Sequence, residues 1–268
     1  MTYASVVSCE TVRIALTIAA LNSLDVKTGD VMNAYITAPI TEKVWTVLGP
    51  EFGDADCGSH AIIVRALYGL KSAGAAFRAH LSSFMRRMGY TSCKADPDLW
   101  YKAETNPADN SRYYAYILCY VDDILVMHHD PKTVLQEIHG YMPLKNPDDI
   151  DLDIYLGTKL KETQLPNGVW AWGMSPSKYV QQAVRNCESQ LLKDFNGRYK
   201  LPTKADNPFP MTYEPEMDVS DPLDPAHASF YSHLIGVMRW MVNLDVSTLP
   251  PKSPSFPPIS LTRELGTS

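Results

Sequence analysis

The sequence predicts an α+β fold, an antiparallel hairpin core combined with helices that each keep one apolar face. Three observations carry this. Residues 113–129 read Tyr-Tyr-Ala-Tyr-Ile-Leu-Cys-Tyr-Val-Asp-Asp-Ile-Leu-Val-Met-His-His, two aromatic and β-branched runs flanking a tight polar pair, the grammar of a hairpin. Gly74 to Met88 places Phe77, Leu81, Phe84 and Met88 on one side of a helix that Gly89 closes. The chain has 268 residues, 45% of them hydrophobic and 20% charged, enough to bury the core of one large or two small domains and contrary to global disorder.

The elements follow in order. Ser8 is a helix cap, Glu10 suits the first turn, and Val12, Ala15, Leu16 and Ala19 share an apolar face up to Asn22-Ser23. A short strand is expected around Leu24–Val31. Gly49-Pro50 and the span from Gly53 to Gly58 mark loops, and Ala61-Ile62-Ile63-Val64 reads as a compact buried strand. After the hairpin, Asp130-Pro131 supplies a cap and a first-turn proline for a helix through about Tyr141. Strands are expected at Tyr155–Leu160 and Gly168–Met174, then a helix from Ser177 to Leu192. Another spans Phe230 to Val242, where Tyr231, Leu234, Ile235, Met238 and Met241 share a face. Eleven of the twenty prolines lie beyond Leu201. The run Pro-Pro-Lys-Ser-Pro-Ser-Phe-Pro-Pro after Leu249 sustains neither helix nor central strand, and a disordered or abnormal tail is expected there.

The net charge of -6 argues against a nucleic-acid partner, but the mean hides an asymmetry. Residues 1–102 carry +1 and residues 103–268 carry -7. Between 65 and 102, seven basic residues (Arg65, Lys71, Arg78, Arg86, Arg87, Lys94, Lys102) face two acidic ones, Asp96 and Asp98. A basic patch and a solvated helix face are both consistent with that count. Five scattered cysteines without a CxxC fit reduced thiols in a cytosolic or nuclear setting. The longest apolar run, Ile14 to Leu21, is far short of the ~20 residues of a membrane span, and no secretion signal is legible.

Asp122 and Asp123 fall where the hairpin should turn. Two like charges in an apolar setting repel, and a divalent cation would remove that cost; hard ions such as Mg²⁺ take carboxylate and phosphate oxygens. An ordinary solvent-exposed aspartate turn is the competing reading. Other chemistries fail. Asp149, Asp151 and Asp153 alternate like a calcium loop, but Ile154 stands where glycine is needed and Leu160 where a bidentate glutamate is needed. No HExxH, Walker loop or dinucleotide fingerprint is present, and His128-His129 reads as a strand end rather than a zinc site.

The residues around the pair resemble a known family. Tyr120-Val121-Asp122-Asp123 between apolar strands resembles the catalytic hairpin of reverse transcriptases, and Asp30-Val31-Met32-Asn33-Ala34-Tyr35 resembles that family's first metal-binding motif. Val64-Arg65-Ala66-Leu67-Tyr68-Gly69-Leu70-Lys71-Ser72 is similar to the copia-type LTR-retrotransposon signature. Lys94-Ala95-Asp96-Pro97-Asp98-Leu99-Trp100 and Tyr155-Leu156-Gly157 follow in the copia order. The likeness runs from about Thr2 to Trp240.

The resemblance implies a right-hand polymerase palm, an antiparallel sheet backed by helices with partial fingers and thumb. On it, Asp30, Asp122 and Asp123 converge on two Mg²⁺ ions, with Mn²⁺ as a substitute; Asp30 and Asp122 bridge them and Asp123 is less directly bound. Tyr35, following Ala34, matches the steric gate that excludes a ribose 2′-OH. Lys71, Arg78 and Tyr120 fall on the template and nucleotide side. Lys145 resembles a lysine that protonates leaving pyrophosphate, and Leu156-Gly157 resembles the primer grip. Tyr68 stands where retroviruses have glutamine, and Lys71-Ser72-Ala73-Gly74 replaces the commoner Lys-Gln-Ala-Pro.

By the same resemblance the partners are an RNA or DNA template, a DNA or RNA primer and deoxynucleoside triphosphates. The setting is a cytoplasmic virus-like particle or the nucleus, not a membrane; nothing in the sequence sets the oligomeric state. The expected division is partial fingers and palm over 1–160, a thumb or connection segment over 161–242, and the tail over 243–268. The family's basic fingers residues lie upstream of the segment where Met1 stands, and the tail replaces a ribonuclease H continuation. The expectation is therefore a piece of a longer polyprotein, either active or a non-catalytic remnant with weak nucleic-acid binding; a two-metal phosphohydrolase is the third reading.

Overall fold

Ser8 opens the first helix as its side chain requires: extended at φ -75°, it accepts a hydrogen bond from the Thr11 N–H, and α1 runs Cys9–Leu21. This computed structural model describes residues 4–145, 154–197, 201 and 221–244. Next come β1 (Asp25–Asp30), a four-residue α2 (Ala34–Thr37), β2 (Pro39–Val47), β3 (His60–Arg65) and α3 (Ala73–Arg87). The middle of the chain forms β4 (Thr91–Ser92), β5 (Leu99–Thr105), β6 (Arg112–Tyr120) and β7 (Asp123–His128). Asp130 caps α4 (Pro131–Tyr141) through Thr133, with Pro131 in the first turn. The remainder holds β8 (Ile154–Tyr155), β9 (Thr158–Gln164), β10 (Trp170–Ser175), α5 (Ser177–Asp194) and α6 (Pro225–Leu244).

The strands make an antiparallel five-stranded sheet in the order β1-β7-β6-β5-β4, a three-stranded sheet β10-β9-β8, and a separate β2-β3 ribbon. Both faces of the central sheet are covered. Ile117, Cys119, Ile124 and Val126 meet Phe77, Leu81 and Met85 of α3 and Leu135 and Ile138 of α4. Leu118, Leu125 and Met127 point the other way, toward Val12, Leu16 and Ala19 of α1 and Tyr155, Leu160 and Met174. This is why Ile124 to Met127 is apolar without alternation: a strand with two buried faces has no residue to give to water.

Three expectations change. Residues 61–64 do form a strand, but it is not buried: Val64 is 64% exposed and Trp45 opposite Ile62 is 62% exposed, because this ribbon carries its apolar residues outside both core clusters. Tyr155–Leu160 is not one strand. Leu156 and Gly157 take positive φ (52° and 76°) and form a two-residue turn between Tyr155 and Thr158. The central hairpin does not turn on the aspartate pair. Tyr120 is paired with Asp123, so the turn residues are Val121 and Asp122 and Asp123 begins β7. The Asp149, Asp151 and Asp153 run and the tail after Leu249 lie outside the described residues.

Candidate active site

Register brings the acidic residues together. β1 and β7 pair antiparallel with their last rung at Asp30 opposite Asp123, so segments ninety-odd residues apart put two carboxylates side by side. Asp122 is fastened to the same edge: its carbonyl accepts the Val31 N–H at 2.9 Å. Its neighbour Val121 sits at φ 55°, a left-handed conformation costly for a β-branched residue and one where hairpin turns ordinarily place glycine. Strain of about 1–3 kcal/mol of this kind is held by the surrounding sheet.

The electrostatics follow from the packing. Burial, then the neighbouring Asp122 and Asp30, push the Asp123 carboxyl up to about 6, with Lys145 pulling the other way. Lys145 reaches Asp30 with Nζ to Oδ2 at 2.8 Å, and its N–H donates to the Asp30 carbonyl at 2.7 Å. The hydrogen bond to Asp30 raises the Lys145 ammonium above its usual value. Both side chains are well exposed, so the pair contributes well under about 1 kcal/mol. The other Asp30 oxygen, Oδ1, is buried without a hydrogen-bond partner. Among the described residues no group of three or more His, Cys, Asp or Glu side chains is placed to hold a metal ion. The donor set nonetheless fits a hard divalent cation: carboxylate oxygens only, one orphaned and buried, and mutual repulsion that a cation relieves.

Tyr35 lies beside this edge. Asn33 at φ 52° starts α2, Ala34 is buried, and the Tyr35 ring packs against Phe77 (centroids 6.1 Å) and Tyr68 (4.7 Å). Tyr35, Phe77, Gly74, Arg78, Asp98, Cys119 and Val121 line a cavity of about 30 Å³. Leu156 is packed in the core on the α1 side, where Tyr120 also lies, and Tyr120 stands edge-on to Trp240 of α6 at 6.2 Å. Lys71 is exposed on the loop before α3, and no contact joins it to the carboxylates among the described residues.

The basic stretch is largely spent on the fold. Arg78 Nε binds Asp98 Oδ1 at 2.9 Å, Arg65 donates to the Thr37 carbonyl, and Lys102 pairs with Glu104. Arg86 lies over Trp100 and Arg87 over Tyr141, at 5.6 and 4.3 Å from the ring centroids. Lys71 and Lys94 are the exposed exceptions. His128 is also internal to the fold: Nδ1 accepts the Asp130 N–H, so Nε2–H donates to the Tyr113 hydroxyl at 2.9 Å. Sequence reasoning missed the structural part of Asp96 and Asp98, whose partners Ser5, Ser8 and Arg78 are twenty to more than ninety residues away.

An antiparallel sheet between helices, with carboxylates from its first strand and its central hairpin at one end, is consistent with the family that sequence comparison gives. The chain belongs to the reverse transcriptase (RNA-dependent DNA polymerase) family, whose model matches residues 1–188. Within it the domain is of the copia type. It is 28% identical over 183 residues to the retrovirus-related Pol polyprotein from transposon RE1 of Arabidopsis thaliana, covering 67% of this chain and 12% of that protein. The RE2 polyprotein of the same plant is 28% identical over 172 residues, 63% of this chain and 11% of the relative. The polyprotein from transposon TNT 1-94 of Nicotiana tabacum is 26% identical over 213 residues, 75% of this chain and 15% of the relative. The chain thus spans less than one sixth of each relative's length. No helix among the described residues is long and apolar enough to cross a membrane.

Proposed function

We propose that this chain is the nucleotidyl-transferring palm of a copia-type retrotransposon polyprotein, extending a DNA or RNA primer with deoxynucleotides on an RNA or DNA template. The observation that carries this reading is the rung Asp30 opposite Asp123, with Asp122 fastened to Val31 beside it. Residues 1–160 serve as palm and partial fingers, and 161–242 as thumb or connection.

Asp30 and Asp122 would hold Mg²⁺, with Asp123 beside them as the less directly bound carboxylate. When bound, the ions supply charge stabilisation for the attacking 3′ oxygen and the leaving pyrophosphate. The chain's own work is mostly position. Val121 and the paired strands fix the carboxylates before substrate arrives, so little reorganisation accompanies the reaction. Lys145 releases Asp30 and donates a proton toward pyrophosphate, a proton that a lysine ammonium carries at neutral pH. Tyr35, backed by Phe77 and Tyr68, forms the floor under the incoming sugar and excludes a 2′-OH. Tyr120 and the Leu156-Gly157 turn guide the primer end. Lys71, exposed before α3, meets a phosphate of the template or nucleotide.

The test is primer extension on an RNA template with Mg²⁺ and deoxynucleotides, wild type beside the Asp122→Asn/Asp123→Asn double variant. Extension by the wild type alone is expected. Equal extension by both would remove the carboxylates from the chemistry, and silence of both would remove the activity from this chain. The family match favours neither the inactive remnant nor the two-metal phosphohydrolase.

A further inference from the structure

The motif Lys94 to Trp100 contains two buried acidic residues that the proposed chemistry does not use. Asp98 is 4% exposed, and every polar group it carries is committed. Oδ1 accepts the Arg78 Nε–H at 2.9 Å, Oδ2 accepts the Ser5 hydroxyl, and the backbone carbonyl accepts the Cys119 N–H at 3.0 Å. Its own N–H donates to Asp96 Oδ1 at 3.2 Å. Asp96 in turn takes the Ser8 N–H on Oδ2 at 3.0 Å. Burial would raise its carboxyl, but hydrogen bonds from Ser8, Thr11 and Asp98 hold it below the usual value.

These contacts form a staple with a direction. Cys119 lies three residues before Asp122, and both of its backbone groups are taken: the N–H by Asp98, the carbonyl by the Val7 N–H at 3.1 Å. Val7 sits between Ser5 and Ser8, which Asp98 and Asp96 hold in place. The segment before α1 therefore continues the edge of the sheet past the start of β5, beside the strand that feeds the strained turn. The other arm of the staple leads to the substrate side. Arg78 shares the cavity wall with Tyr35 and Val121, and Gly74 completes it; a Cβ there would come within 3.3 Å of the Ala4 Cβ and 3.9 Å of the Tyr35 hydroxyl.

We infer that Asp98 is a positioning residue for nucleotide selection: its buried carboxylate holds Ser5, and so the Val7 segment bonded to Cys119 in the strand entering the Val121-Asp122 turn, and through Arg78 it holds the wall behind Tyr35. The inference rests on the polymerase reading for its kinetic consequence, but its structural half stands without it. A hydrophobic or plain stability role predicts uniform loosening, whereas the staple predicts a local one.

The experiment compares wild type with Asp98→Asn and Ser5→Ala by amide hydrogen exchange and by steady-state primer extension. Asp98→Asn keeps the shape but turns an acceptor into a donor facing either Arg78 or Ser5. Ser5→Ala removes a single bond near the N-terminus and serves if the first variant does not fold. The expected result is exchange faster by about tenfold over residues 119–124 in Asp98→Asn and about threefold in Ser5→Ala, with α4 unchanged. The Km for deoxynucleotide rises about tenfold in Asp98→Asn, the preference for deoxyribose over ribose falls, and kcat changes less than about threefold. Exchange unchanged over 119–124, exchange rising equally throughout the chain, or local loosening with Km and sugar preference intact would each overturn the inference. If the wild type extends no primer, the polymerase reading fails by itself and the exchange pattern alone decides the staple.

Discussion

Replacing Asp123 with asparagine should make the cation-free protein more stable while abolishing the proposed chemistry. In the folded state burial and the adjacent Asp122 and Asp30 push the Asp123 carboxyl from the ordinary 3.8 to about 6. The folded protein therefore holds a proton that the unfolded chain has released across the window from about pH 4 to pH 6. Stability falls as pH rises through that window, and the full penalty is present above about pH 6. A shift of this size corresponds to at most about 3 kcal/mol. Solvent still reaches the side chain in part, which reduces the expected effect to about 1–2 kcal/mol. Asp123→Asn removes the charge without changing the shape, so it should gain that amount at pH 8. At pH 4.5 only about a third of the gain should remain. Urea unfolding of both proteins at the two pH values, in the presence of a chelator, measures it. Adding Mg²⁺ at pH 8 should then stabilise the wild type by more than the variant, which keeps Asp30 and Asp122 but has less repulsion for a cation to relieve. A variant no more stable than wild type at pH 8 would refute the reasoning about repulsion, and a gain independent of pH would assign it to something other than charge.

Three further outcomes follow from the same geometry. Lys145→Ala should leave thermal stability within about a degree, since the Asp30 pair is exposed, yet slow primer extension by ~10²-fold through loss of the proton donor. Tyr35→Ala should lower the preference for deoxynucleotides by roughly tenfold or more, read from competing extension with ribo- and deoxynucleotides; unchanged selectivity would remove Tyr35 as the gate. Gly29→Val should cost about 1–3 kcal/mol in urea, because a Cβ there stands 2.9 Å from Leu135 Cδ2 and 3.2 Å from Leu144 Cδ1 in the packed α4 interface.

What was legible in the sequence was what is decided locally. Ser8 and Asp130-Pro131 mark helix starts because a cap is a contact over three residues, and Phe77, Leu81 and Phe84 mark a buried face because helical spacing alone places them together. The turn of the central hairpin escapes sequence reasoning for an equally local reason. Polar residues favour turns, but here the pairing of Asp123 with Tyr120 and Asp30 wins and forces Val121 into the turn. The exposure of β3 is not legible in its apolar composition, which states what a strand would prefer, not whether anything covers it. In the candidate site, motif likeness points to Asp30, Asp122, Asp123 and Tyr35, while the meeting of Asp30 with Asp123 is a matter of register across ninety residues. Motif likeness points Arg78 toward the nucleotide, but its Nε is committed to Asp98, twenty residues on, which no spacing rule reveals.

The β2-β3 ribbon has a consequence for the chain as a solute. Among the described residues no third strand joins these two, which leaves two outer rows of backbone donors and acceptors beside Trp45, Val47, Ile62 and Val64, all exposed. Such a ribbon is a template on which a second molecule can add a strand, gaining hydrogen bonds and a dry apolar contact at once. What opposes this is the long-range repulsion of molecules carrying -6 each, and salt weakens that repulsion within about 10 Å at 0.1 M. Raising ionic strength, the usual way to weaken nonspecific nucleic-acid binding, should therefore drive this protein toward clustering, and low-salt buffers should keep it dispersed.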